Sequence, residues 1–89
     1  MGFEWDARKA AFNLRKHGVS FPFASEALFD PNRFERLDDS EDYGETRWIT
    51  IGLAGRFVIV VVHVLRGDDI RIISARRATR NEVQIYWNR

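Results

Sequence analysis

The spacing of apolar positions along the chain switches from helical to alternating at about one third of its length. Phe3-Glu4-Trp5 is short and aromatic and reads as a strand. Over Ala7–His17 the residues Ala7, Ala10, Ala11 and Leu14 recur at a 3.6-residue period, which predicts a helix with that stripe facing inward. Asp6 is placed to cap its free amides and Gly18 to end it in the left-handed conformation. Lys16 and His17 then fall at the negative end of the helix dipole. Ser20 predicts a second, shorter helix to about Phe29, with Pro22 in its first turn and Ala24, Ala27 and Leu28 inward. Asp30-Pro31-Asn32 terminates it.

From there the period is two. A weak strand at residues 34–37 leads into an acidic loop, 38–45, and then to strands at 46–53, 56–66 and 70–77. Ala54-Gly55 and Gly67-Asp68 are turn signals for two-residue hairpins, so the sheet is expected to be antiparallel. A short helix is predicted over 79–88. The expected fold class is α+β, with two N-terminal helices on an antiparallel sheet of about four strands and a short C-terminal helix.

Two-residue turns also set the register. One sheet face then collects Ile49, Ile51, Val58, Val60, Val62, Val64, Ile73 and Ala75, and is expected to meet the helices. The other collects Trp48, Thr50, Ile59, Val61, His63, Ile72, Ser74 and Arg76, a mixture suited to binding something polar or to lying under a helix. On this register Arg77 points to the helix side, nearer Lys16 and His17, and Arg76 points away.

Length and composition narrow the possibilities. With 89 residues, 45% of them hydrophobic, the chain is expected to form a single domain, residues 1–89. The absence of cysteine excludes disulfides and thiolate metal sites. No leader or long apolar run is apparent, so no membrane association and a cytoplasmic location are expected. The net charge of +1 conceals an asymmetry. Asp38, Asp39, Glu41, Asp42 and Glu45 make an acidic middle, whereas Arg71, Arg76, Arg77, Arg80 and Arg89 make the end basic. Twelve of the 14 basic residues are arginine, whose planar fork pairs with phosphate and carboxylate alike.

The candidate chemistry follows from those charges. Arg76, Arg77 and Arg80 are placed to stabilise a phosphate, against the plainer reading of a solvated strand end paired with the acidic loop. A histidine can move a proton, which makes His17 a candidate with Lys16 beside it as fixed charge; alternatively it only caps helix carbonyls. His63, inside Val-Val-Val-His-Val, reads as a buried histidine bonded to a neighbour. The two histidines lie on different elements with no metal-ligand spacing, so neither a metal nor another cofactor is expected. Trp48, Trp87, Tyr43 and Tyr86 include candidate stacking rings for bases.

Phe3-Glu4-Trp5-Asp6, then Asn13-Leu14-Arg15-Lys16-His17-Gly18-Val19-Ser20-Phe21, Glu41-Asp42-Tyr43-Gly44-Glu45-Thr46-Arg47-Trp48 and Ile70-Arg71-Ile72-Ile73-Ser74-Ala75-Arg76-Arg77-Ala78-Thr79 resemble, in that order, the BrnT family of bacterial toxins. The resemblance implies a RelE-like fold and a ribonuclease toxin of a type II toxin-antitoxin pair that inhibits translation and growth. It further implies a BrnA-type antitoxin with a ribbon-helix-helix portion, through which the complex reaches operator DNA. The family's basic and histidine positions fall on Lys16, His17, Arg76 and Arg77, with Arg47, Arg66, Arg71 and Arg80 as weaker RNA-binding candidates.

Metal-free cleavage requires a group that accepts the ribose 2'-hydroxyl proton, and arginine is too basic for that. His17 is the candidate base, or Lys16 if its pKa is lowered, with Arg76 or Arg77 as electrostatic stabiliser. Phe12, a large apolar residue on the polar side of the first helix, is a candidate antitoxin contact. The rival readings are a non-catalytic module that binds nucleic acid or protein, and an inactive toxin homologue.

Overall fold

The computed structural model describes residues 1–39, 42 and 44–89. Within them the elements follow one another as β1 (Phe3–Glu4), α1 (Ala7–His17), α2 (Phe21–Ser25), a 3-10 turn (Glu26–Phe29), β2 (Phe34–Asp38), β3 (Arg47–Ala54), β4 (Phe57–Arg66), β5 (Asp69–Arg77) and α3 (Arg80–Trp87). The expected caps form. The Asp6 carboxylate accepts from the amides of Arg8 and Lys9 at 2.8 and 3.1 Å, Ser20 accepts from Phe23, and Gly18 closes α1 at φ 70°. At the other end of the chain Thr79 and Glu82 complete a reciprocal capping box that starts α3.

The sheet is larger than the sequence predicts. Its strand order is β1-β5-β4-β3-β2, and β1 joins it by pairing in parallel with β5, Phe3 opposite Ile70 and Glu4 opposite Arg71. The result is a five-stranded mixed sheet rather than four antiparallel strands. The hairpins are two-residue turns as expected, although the first consists of Gly55 and Arg56, one residue later, with Ala54 paired to Phe57.

The faces are reversed for the N-terminal helices. α1, α2 and the 3-10 turn cover the side that holds Thr50, Ala54, Ile59, Val61 and Ile72, where Val19, Phe21, Ala24 and Ala27 complete the main core. The side expected to meet them, with Ile51, Val58 and Val60, is covered instead by Tyr86 and Val83 of α3. Close packing on the first side depends on Gly52, because a Cβ there would lie 2.5 Å from the Ala27 carbonyl oxygen. α3 is fastened by the Tyr86 hydroxyl, which donates to the Asp30 carboxylate; that carboxylate also accepts the Leu53 amide at 2.8 Å. Burial, with the bond to Asp30, pushes the Tyr86 hydroxyl up to about 12.

Two local features explain the remaining differences. A β-bulge leaves Ile73 unpaired between the Val62–Ser74 and His63–Ile72 pairs, so every residue after it changes face. Ser74 and Arg76 therefore lie on the α3 side and Ala75 and Arg77 on the α1/α2 side, where Arg77 opposes Ile59. The second feature is Asn13. This side chain, not Leu14, is the buried residue of α1, and Leu14 is 51% exposed. The Asn13 amide donates to the carbonyls of Ala75 at 2.7 Å and Val19 at 2.9 Å, and its oxygen accepts the Ala75 amide at 3.1 Å. It thereby stands in for a neighbouring strand where β1 no longer covers the edge of β5. Ser40, Glu41 and Tyr43, including part of the acidic loop and one candidate stacking ring, lie outside the described residues.

Candidate active site

Asn13 fixes α1 beside the edge of β5, and the groove between them is lined by Arg8, Lys9, Phe12, Asn13, Lys16, His17, Ile73, Ser74 and Arg76, with a volume of about 610 Å³. The helix contributes residues at i, i+1, i+4, i+5, i+8 and i+9, which is a single helical face. Across from it, Ile73, Ser74 and Arg76 of β5 form the other wall. No carboxylate lines this groove among the described residues. His17 is half-buried at the C-terminal end of α1, and Lys16 lies 5.7 Å from the Phe12 ring centre.

Arg76 is held firmly. Its two terminal nitrogens donate to the two Glu82 oxygens at 2.7 and 2.9 Å, and Nη1 also reaches the Arg77 carbonyl at 3.3 Å. Those three bonds use three of the five guanidinium N–H groups, leaving Nε–H and one hydrogen of Nη2. The hydrogen bond from Arg76 holds the Glu82 carboxyl down at about 2, against the opposing effect of burial. In turn Glu82 raises the Arg76 guanidinium above its ordinary value.

The other predicted residues are dispersed. Arg77 lines a separate cleft with Gly18, Val19, Phe23, Phe57 and Ile59, its guanidinium 4.2 Å from the Phe57 ring centre. Arg76, not Arg77, lines the groove with Lys16 and His17, while Arg77 lies on the α1/α2 side of the sheet, as expected, and lines the cleft beside Gly18. By register Arg47, Arg66 and Arg71 lie on the α3 side of the sheet, with Arg76. Glu45 pairs with Arg47 at 3.7 Å and with Arg66 at 3.3 Å, and Glu4 pairs with Arg71 at 3.6 Å. Arg80 is exposed in the first turn of α3.

His63 is buried as expected. Its Nε2 shares a 2.9 Å hydrogen bond with Thr50 Oγ1, Nδ1 has no partner among the described residues, and burial lowers its pKa. Among the candidate rings, Tyr86 is core, Trp48 is half-buried opposite His63, and Trp87 is 61% exposed.

Arg8, Lys9 and Ser74 line the groove without having been singled out from the sequence. The signal for the first two was present: they occupy the first turn of a helix that carries no acidic residue there, where a cation opposes the dipole. Alternation puts Ser74 on the face of Thr50 and His63, and the bulge turns it to the other.

Among the described residues no group of three or more His, Asp or Glu side chains is gathered to hold a metal ion, and no helix is long and apolar enough to cross a membrane. No curated protein matches the chain closely enough to serve as a relative. A family model does match, over residues 5–82, and its description is ribonuclease toxin, BrnT, of type II toxin-antitoxin system. With nearly the whole chain covered, including both walls of the groove, this protein belongs to the BrnT family of ribonuclease toxins.

Proposed function

We propose that this chain is an active, metal-independent endoribonuclease whose cleavage centre is the groove between α1 and β5. The observation that carries the reading is the meeting there of an imidazole, Lys16 and a fixed arginine in a concavity that no described carboxylate lines. RNA entering it places a phosphate against positive charge. The 2'-hydroxyl oxygen attacks the adjacent phosphorus, its proton passes to the neutral His17 imidazole, and the bond from phosphorus to the 5'-oxygen breaks. Lys16 supplies a proton to that leaving oxygen. The products are a 2',3'-cyclic phosphate and a 5'-hydroxyl.

Arg76 stabilises the pentacoordinate phosphate with the donors that Glu82 leaves unused, and Glu82 keeps the guanidinium from turning away. Arg47, Arg66, Arg71 and Arg80 extend the positive surface along which the rest of the RNA lies. In the cell such cleavage stops translation and growth. A BrnA-type ribbon-helix-helix antitoxin neutralises the toxin and carries the complex to operator DNA.

The test is incubation of purified protein with RNA in the presence of a chelator. Cleavage that persists with chelator, and is lost in His17→Ala, supports the reading. Binding without cleavage assigns the chain to a non-catalytic module or an inactive homologue, and cleavage that ends on chelation removes the metal-free chemistry.

A further inference from the structure

Phe12 is 55% exposed on α1, and its surroundings point to a ligand. Arg8 and Lys9 lie one turn before it and Lys16 one turn after, all lining the same groove as His17 and Arg76. None of Arg8, Lys9 and Lys16 takes part in an ion pair among the described residues. Arg8 and Lys9 lie in the first turn of α1, whose positive dipole end favours a bound anion as well. An exposed ring among unpaired cations presents stacking and charge together, which are the two features that single-stranded nucleic acid recognises.

We infer that Phe12 is a stacking platform for an unpaired nucleobase of the RNA substrate, with Arg8 and Lys9 holding the backbone phosphates beside it. The inference rests on the reading of this groove as the RNA-cleaving centre and deepens it. A base stacked on Phe12 sets the register of the strand, so the phosphate reaching Arg76 and His17 lies a fixed distance along the chain from that base. Double-stranded RNA cannot offer such a base without unpairing, so the site selects single-stranded substrate. Because every base has a π-face, the ring discriminates strand state more than sequence.

The probe is a single-stranded RNA carrying 2-aminopurine and 2'-O-methyl riboses, which binds but cannot be cleaved. The full-length wild-type chain is expected to quench its fluorescence. Phe12→Leu, which keeps an apolar side chain at an exposed position, is expected to lose the quenching and bind about tenfold more weakly, the scale of one base-aromatic stack. Phe12→Trp is expected to restore both. Arg8→Ser with Lys9→Ser is expected to weaken binding and lower the salt dependence by roughly 0.7 in log–log slope for each phosphate no longer neutralised.

Unchanged affinity and quenching in Phe12→Leu would overturn the inference, and if that variant also ceases to retain the antitoxin, Phe12 is a protein contact instead. The cleavage reading fails separately: His17→Ala that still cleaves removes it, whatever the binding of the uncleavable probe shows.

Discussion

Arg76 and Glu82 face each other through two parallel hydrogen bonds of 2.7 and 2.9 Å, and the same Glu82 carboxylate accepts the Thr79 amide at 2.8 Å to start α3. One acid therefore both aims the arginine at the rim of the groove and begins the last helix. Glu82→Ala is expected to lower stability by about 1–2 kcal/mol, combining a lost cap with a partly screened ion pair. Because the folded carboxyl titrates at about 2, below the unfolded value, its contribution is fully present above about pH 4.5 and is lost as pH falls toward 2. Urea denaturation across that range checks this, since the variant lacks that portion of the acid dependence.

His17→Ala and Arg76→Lys separate the proton acceptor from the guanidinium fork. Each is expected to reduce RNA cleavage by about 100-fold or more, the second although it retains the charge. Arg77→Ala is the contrast. It removes the cation above Phe57, worth about 0.5–1 kcal/mol at an exposed site, and is expected to leave cleavage within a few-fold of wild type. If Arg77→Ala is the inactive variant and Arg76→Lys the active one, the groove is not where the phosphate reacts.

Asn13→Leu keeps a side chain of similar size but leaves the Ala75 amide and carbonyl without their partner. A loss of about 2–3 kcal/mol is expected from the stranded polar groups. Thermal denaturation measures the loss. Amide exchange at Ala75 localises it, and an unchanged exchange rate there would remove Asn13 from its role at the strand edge.

The positions of the caps and turns were legible in the sequence because each depends on a local requirement. Asp6 and Ser20 start helices, and Gly18, Gly55 and Gly67 adopt positive φ where the chain reverses. The phase of α1 was not legible, since counting apolar residues favours Leu14 over a buried asparagine whose partner is 62 residues away. Nor was the bulge at Ile73, as one unpaired residue leaves the alternation Ile-Arg-Ile-Ile-Ser-Ala unremarkable. That single residue exchanges the sheet faces of Arg76 and Arg77. Of the residues singled out from the sequence, Phe12, Lys16, His17 and Arg76 line the groove and Arg77 lines the neighbouring cleft.

His63 gives the protein a weakness at mildly acidic pH. Burial lowers its pKa, and an imidazolium there would need a second acceptor at Nδ1, which has no partner among the described residues. The unfolded chain takes up the proton more readily, so stability is full above about pH 6.5 and declines as pH falls from there. The melting temperature is expected to drop by a few degrees between about pH 7.5 and 5, at about 4–8 °C per kcal/mol. His63→Gln, which retains a polar neighbour for Thr50, is expected to flatten that decline.

Gly52→Ala tests how closely the 3-10 turn rests on β3. The added carbon meets backbone rather than a movable side chain, so the two elements must separate. A cost of about 3 kcal/mol is expected. A variant that melts within a degree or two of wild type would contradict the packing.

The two walls of the groove are far apart in sequence, α1 at residues 7–17 and β5 at 69–77, and β1 has no sheet partner until β5 exists. A ribosome must therefore release β5 before the walls can meet, because pairing at such separation forms only once the intervening loop can close. On the proposed reading of the groove, a nascent chain cannot cut RNA until both walls have emerged. Chains stalled before Ile70 lack one wall altogether, and their inability to cut RNA would mark the moment at which synthesis turns the polypeptide into a weapon.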